Sequence, residues 1–281
     1  MIRTINAGQI TELTASLFLT ANTYLPPDIG IALECAAETE HNTASRTALE
    51  VIVENFKFAA ASGLPICQDC GMAVVFAAIG QDVHITGGLF EDAVNAGVRK
   101  AYYDGKLRCS VVRDPLRRVN TDDNTPAVIY TKLVEGTNIK LTAAPKGFGS
   151  ENMSASRMFN PTDTREVIED WMAGVVNTAG SKPCPPIIIG AALGGTLDAC
   201  AVAAKKALLR PIDTPNVDVF YAEMERNVLR KVNAIGIGAQ GFGGRYTALG
   251  VNIDALPTHI AGLPAVVNIS CHVTRHAVGV I

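Results

Sequence analysis

The chain has 281 residues, 48% hydrophobic and 18% charged, with a formal net charge of −3. That length permits an ample buried core, and a charged fraction below the usual level of about 25% points to much surface hidden in packing or against another chain. The weakly acidic balance argues against nucleic acid or an anionic membrane as main partner, and no apolar run approaches the roughly 20 residues that span a bilayer.

Met1–Asn22 is interrupted by Asn6, Gln9 and Glu12. It reads as an amphipathic helix and not as a signal peptide, which sets the expectation of a cytoplasmic protein. Pro26-Pro27-Asp28 separates it from a second helix, with Asp28 as candidate N-cap. Ala48, Val51, Ile52, Phe56 and Ala59 give a helical stripe to a third, Thr43–Ser62, completing a helical region over residues 1–62. Gly63 and Pro65 end it. There follows Leu64-Pro-Ile-Cys67-Gln68-Asp69-Cys70-Gly71, a thiol, an amide and a carboxyl side by side on a connection between regular elements, where chemistry is usually carried.

Ala73–Ile79, a Gly80-Gln81 turn and Val83–Thr86 read as a strand pair, and Leu89–Tyr103 as a helix ended by Asp104-Gly105. Pro126–Val134 and Thr137–Ala143 flank Glu135-Gly136, which predicts a hairpin. Lys146-Gly-Phe-Gly-Ser-Glu-Asn152 is too glycine-rich and polar for a regular element. Asp163–Glu166 matches a capping box for a helix Thr164–Ala179 closed by Gly180. After Cys184-Pro-Pro come a buried-looking strand, Ile187–Leu193, and helices to Leu209 and over Asn216–Ala234. Tyr246–Ile253 and Pro264–Cys271 look like strands. Helices and strands mix without strict alternation, so the expected fold is one α+β domain over residues 1–281, with strands of a mixed sheet covered by helices.

Two glycine runs invite a nucleotide reading. Gly236-Ile-Gly-Ala-Gln-Gly241 fits the dinucleotide fingerprint by letter, but a helix precedes it and a strand follows, the reverse of what pyrophosphate binding needs. Gly190–Thr196 follows a strand and opens a helix but lacks the Lys-Ser/Thr of a P-loop. It reads equally as a tight turn or as a carboxylate-binding helix start.

The seven cysteines (35, 67, 70, 109, 184, 200 and 271) are odd in number and widely spaced, which argues against a disulfide framework. Cys35 and Cys200 lie in alanine-rich helical contexts and read as packing residues, as does Cys109. Cys67-x-x-Cys70 leaves three readings open. A redox dithiol prefers a helix N-terminus, whereas a strand follows here. A structural zinc wants a second cysteine pair. An iron–sulfur cluster would use Cys67, Cys184 and Cys271, each on a loop or strand end.

Pro65-Ile-Cys67-Gln-Asp-Cys-Gly71 resembles the Pro-x-Cys-Gln-Asp-Thr-Gly motif of the class I fumarases and related tartrate dehydratases. Lys146–Asn152, the Cys184-Pro-Pro region with Gly194-Gly-Thr196 and Ala204–Arg210, and Pro257-Thr-His259 with Cys271-His-Val-Thr-Arg275 are similar to further segments of that family, in order over nearly the whole chain. The resemblance implies an oxygen-labile [4Fe–4S] cluster held by Cys67, Cys184 and Cys271, with one iron open to substrate. It implies that Gln68 and Asp69 contact substrate, Asp69 as proton donor to the departing hydroxyl or as its hydrogen-bond partner. It implies that Arg108 pairs a substrate carboxylate, that Gly149 offers a backbone contact, and that His259 reaches the site. The expected activity is that of a fumarate hydratase α subunit, to which Gly194-Gly195-Thr196 tips the reading, with a tartrate or methyl-substituted dicarboxylate dehydratase as the alternative. A metal-storing or redox-sensing module built on Cys67 and Cys70 is the reading from another class. Cys70 stands where the family has Thr and reads as a packing residue of similar size. The chain stops ten residues after Cys271, short of the downstream domain of single-chain members, which implies a separate β subunit and a higher oligomer.

Overall fold

The computed structural model describes residues 2–281 and shows an α+β fold, as the mixed patterning predicts. No helix among the described residues is long and apolar enough to cross a membrane. The chain gathers into two compact units, Met1–Pro26 with Phe56–Phe148 and Arg275–Ile281, and Pro27–Asn55 with Gly149–Thr274.

The first unit begins with strand β1 (Arg3–Asn6) and helix α1 (Ala7–Thr23). Asn6 and Gln9, read from sequence as interruptions of a longer helix, are its start signal. The Asn6 side chain accepts from the Gly8 amide at 2.8 Å and the Gln9 side chain accepts from the Asn6 amide at 3.0 Å, a reciprocal capping box. Helix α1 and residues 2–6 are therefore separate elements. Further strands of the unit are β2 (Met72–Gly80), β3 (Val83–Thr86), β4 (Val128–Val134) and β5 (Ile139–Lys146).

Two predicted pairings are overturned. β3 does not pair with β2; it lies parallel to β1, from Arg3 opposite Val83 to Asn6 opposite Thr86. β4 and β5 do not form a hairpin; β2 lies between them, parallel to β4 and antiparallel to β5. The reason is burial. β2 is apolar along most of its length and gains by satisfying both edges within a sheet, a preference that sequence adjacency does not reveal. The C-terminal segment Ala277–Val280 adds antiparallel to β5. Helix α3 (Thr43–Ser62) ends at Gly63, whose φ of 71° is a left-handed stop. Helix α4 (Phe90–Asp104) packs against α1, and the core between them and the sheet holds Ile10, Phe18, Val98, Tyr102, Ile139 and Leu141.

In the second unit β6 (Ala155–Phe159), β7 (Ile187–Gly194), β8 (Ala248–Leu256) and β9 (Leu263–Ser270) form a sheet of order β6-β9-β7-β8. β7 is buried at every residue, which explains its unbroken apolar run; β8 runs parallel to it and β9 antiparallel. The C-terminal strand of the first unit becomes β10 in chain order (Ala277–Val280). Helix α2 (Pro27–Thr39) starts one residue before Asp28. Asp28 therefore lies inside the first turn, where its carboxylate accepts from the Ile212 amide at 2.9 Å. Past the short helix α5 (Phe148–Glu151), helix α6 (Arg165–Ala179) has Thr164 as N-cap without a side-chain capping bond. Asp163 instead accepts from the Asn160 amide, so the capping box is absent. Helices α7 (Leu197–Ala207) and α8 (Val219–Ala234) cover the sheet, and α8 packs on α6.

Candidate functional site

Cys67–Gly71 is a loop between α3 and β2 in the first unit, and its backbone is held from below by buried side chains. The Tyr102 hydroxyl on α4 shares its proton between the carbonyls of Cys70 (2.6 Å) and Gly71 (2.9 Å). Burial pushes the Tyr102 phenol far above its usual range, so that proton stays in place. Asn124 Nδ2 donates to the Gly71 carbonyl at 3.1 Å, and Arg275 Nη2 donates to the Asp69 carbonyl at 2.5 Å. Arg275 is itself buried. Gly71 has a φ of 75°, and a Cβ there would stand 2.7 Å from the Lys146 amide nitrogen, so only glycine lets the loop lie this close to β5.

The Asp69 carboxylate is fixed by two backbone donors. Oδ1 accepts from the Gly71 amide at 2.9 Å and Oδ2 from the Phe148 amide at 3.1 Å. Each oxygen keeps a second lone pair open to a further hydrogen bond while the position of the group is set. Phe148 belongs to the Lys146–Asn152 segment, so two of the motifs singled out in the sequence meet here. Gln68 is exposed, and its Oε1 accepts from the Cys67 thiol at 3.1 Å.

Arg108 is exposed on the connection after α4. Its amide donates to the Cys70 sulfur at 3.2 Å, which brings the arginine to the same loop. Cys70 is buried, and that burial pushes its thiol up. A small neutral thiol that packs and accepts one backbone bond is what the packing reading of Cys70 requires. Cys200 is likewise buried, its thiol pushed up to about 11 by desolvation. Cys35, however, is exposed on α2, against the expectation that it packs.

In the second unit Cys184 and Cys271 lie on neighbouring loops at one end of the sheet, since β7 and β9 are antiparallel with Ile188 opposite Ser270. Cys184 precedes β7, is exposed, and has a left-handed φ of 54°. Cys271 follows β9 and is half-buried. The residue after Cys271 joins them: the His272 amide and Nδ1 lie 3.4 and 2.9 Å from the Cys184 carbonyl. Gly149 is exposed in α5. His259 is exposed in the turn between β8 and β9, its Nδ1 accepting from the Ala261 amide at 3.1 Å. Among the described residues no hydrogen bond ties Gly149 or His259 to the Cys184 or Cys271 loops.

No disulfide joins any of the seven cysteines. Within either unit, no group of three or more His, Cys, Asp or Glu among the described residues stands close enough to hold a metal ion. The donor chemistry still suits iron and sulfide: Cys67, Cys184 and Cys271 are all thiols on irregular loops outside the cores, and thiolates are the ordinary ligands of such clusters. The Gly236–Gly244 loop spends amides on protein acceptors, both within itself (the carbonyls of Ile237, Gly238 and Ala239) and outside it (Thr247 Oγ1, Ser45 Oγ and the Pro185 carbonyl). None of Tyr102, Asn124, Gln240 and the role of Arg275 was evident from sequence; each is remote in the chain from the loop it supports.

The family model described as Fumarate hydratase (Fumerase) matches residues 11–280. The chain is 39% identical over 276 residues to a protein of Methanocaldococcus jannaschii named putative L(+)-tartrate dehydratase subunit alpha, covering 96% of each. It is 24% identical over 272 residues to the L(+)-tartrate dehydratase subunit alpha of Escherichia coli (strain K12), covering 95% of this chain and 89% of that one. With a match over nearly its whole length, the chain belongs to the fumarate hydratase family of hydro-lyases.

Proposed function

We propose that the chain is the α subunit of an iron–sulfur hydro-lyase that removes water from L(+)-tartrate, working with a separate β subunit. The observation that carries this is the 39% identity, over 96% of both chains, to a protein named as a putative L(+)-tartrate dehydratase α subunit. It reverses the ranking drawn from sequence, where Gly194-Gly195-Thr196 favoured fumarate. Those glycines have a local cause. Gly194 has a φ of 85°, and a Cβ there would lie 2.1 Å from the Leu256 carbonyl oxygen, so packing of β7 against β8 requires glycine whatever the substrate. Interconversion of malate and fumarate stays as the second reading, favoured by the description of the matching family.

In this proposal Cys67, Cys184 and Cys271 hold a [4Fe–4S] cluster. When bound, that cluster supplies Lewis-acid polarisation of substrate hydroxyl and carboxylate oxygens. Asp69 gives a proton from its carboxyl to the departing hydroxyl, held in register by the Gly71 and Phe148 amides. Arg108, exposed and adjacent to the same loop through Cys70, pairs one substrate carboxylate. Gln68 hydrogen-bonds the substrate, Gly149 offers its amide, and His259 serves as a further polar contact. Loss of water from tartrate leaves an enol that becomes a 2-oxo-dicarboxylate, whereas malate leaves an alkene.

The test is co-expression with the β subunit and purification under argon, followed by turnover of L(+)-tartrate, D-tartrate and malate. Preferential formation of a 2-oxo-dicarboxylate from L(+)-tartrate is expected. Turnover of malate alone would move the chain to the second reading, and a preparation that retains no iron would remove the cluster from either.

A further inference from the structure

The glycine-rich loop Gly236–Gly244 has no role in the reading above, yet it touches both cysteine loops of its own unit. Resting on the iron–sulfur reading, we propose that this loop is a clasp that sets the positions of Cys184 and Cys271, with Gln240 as its positioning residue. Gln240 adopts φ 53° and ψ 14° inside the 3₁₀ turn Ala239–Gly241. A side-chain-bearing residue enters that left-handed region only where its surroundings demand it. The return here is that Gln240 turns two donors onto one acceptor: its backbone amide and its Nε2 each lie 2.8 Å from the Pro185 carbonyl.

The clasp closes through His272. Its Nδ1 lies 2.9 Å from the Cys184 carbonyl. A carbonyl only accepts, so this contact assigns a proton to Nδ1. Gln240 Nε2 passes the same ring nitrogen at 3.3 Å. A continuous set of contacts therefore runs from Gln240 to Pro185, back to Cys184, and across to His272 beside Cys271. The clasp is stiff because the glycines fold it on itself. A Cβ on Gly238 would stand 1.6 Å from the Gly243 carbonyl oxygen, and the Gly243 amide donates to Ile237 at 2.8 Å. It is also anchored outside the loop. Ser45 Oγ on α3 accepts from the Ala239 amide at 3.0 Å, and the buried Glu40 carboxylate accepts from the Arg245 amide at 2.8 Å. The letters that imitate a dinucleotide fingerprint thus serve to bring backbone against the cysteine loops.

Two variants of the full chain test this. Gln240→Glu keeps size and backbone donor but puts a carboxylate against the Pro185 carbonyl. Gln240→Gly removes the side chain and relieves the left-handed strain, so it guards against simple misfolding. In the metal-free protein, amide exchange at Cys184 and His272 should rise about tenfold in both variants while β8 amides keep their protection. In anaerobically reconstituted protein, iron release to a chelator should speed up about tenfold, with the melting midpoint little changed. Unchanged exchange at Cys184 and His272 overturns the clasp, as does faster exchange with unchanged iron release. If the wild-type chain takes up no iron, the iron–sulfur reading falls while the exchange result alone still decides the clasp.

Discussion

Tyr102→Phe is the sharpest probe of how the Asp69 loop is held. The ring is buried in the first unit's core near Phe18, and Phe preserves its packing. Only the hydroxyl is lost, and with it the donor to the Cys70 carbonyl at 2.6 Å and to the Gly71 carbonyl at 2.9 Å. Asn124 Nδ2 still serves Gly71 at 3.1 Å. The change therefore leaves one carbonyl, that of Cys70, without its buried partner, a loss of about 1–3 kcal/mol. For a chain of this size each kcal/mol moves the melting midpoint by roughly 2–4 °C. Cys70 is the residue after Asp69, so relaxation of its carbonyl shifts the carboxylate that the loop positions. In the proposed role of Asp69 as proton donor, a shift on the order of 1 Å would lower kcat by about 100-fold. Thermal melts by circular dichroism, paired with turnover in the air-protected enzyme, read both effects. A midpoint within about 1 °C of wild type together with kcat within about twofold would show that the hydroxyl does not hold the loop.

Other outcomes follow from the same contacts. Gly71→Ala places a methyl 2.7 Å from the Lys146 amide nitrogen at a φ of 75° and should destabilise by about 3 kcal/mol or more, read by denaturant melts; tolerance of alanine would mean that β5 can move away. Asp254 is half-buried, and desolvation raises its pKa, with Glu225 adding to the rise and Arg210 and Lys206 opposing it. A raised carboxyl contributes stability that is present below the unfolded value and lost as pH rises through the folded one. Asp254→Asn should therefore raise the melting midpoint at pH 7 and give no gain near pH 3.5, below the unfolded value of about 3.9. A lower midpoint at pH 7 would mean that the carboxylate is productively paired. Cys200, buried and with its thiol pushed up to about 11, should resist alkylation at pH 8 until the chain unfolds, whereas exposed Cys35 should react at once, as peptide mass mapping would show.

Local chemistry is what the sequence alone determined. Helix ends at Gly63 and Gly180, the unbroken apolar run of β7, and the loop placement of Cys67, Asp69, Cys184 and Cys271 all follow from residue type and near neighbours. The family too was legible, because its motifs keep their order along the chain. Strand partners were not. β2 lies between β4 and β5, and β3 joins β1, since pairing depends on which faces become buried and not on which strands adjoin in sequence. The supports of the Asp69 loop were hidden for the same reason: Tyr102, Asn124 and Arg275 lie 33, 55 and 206 residues away along the chain, and only folding brings their donors to its carbonyls. A carbonyl carries no sequence signature, so which side chain satisfies it is a property of the tertiary structure alone.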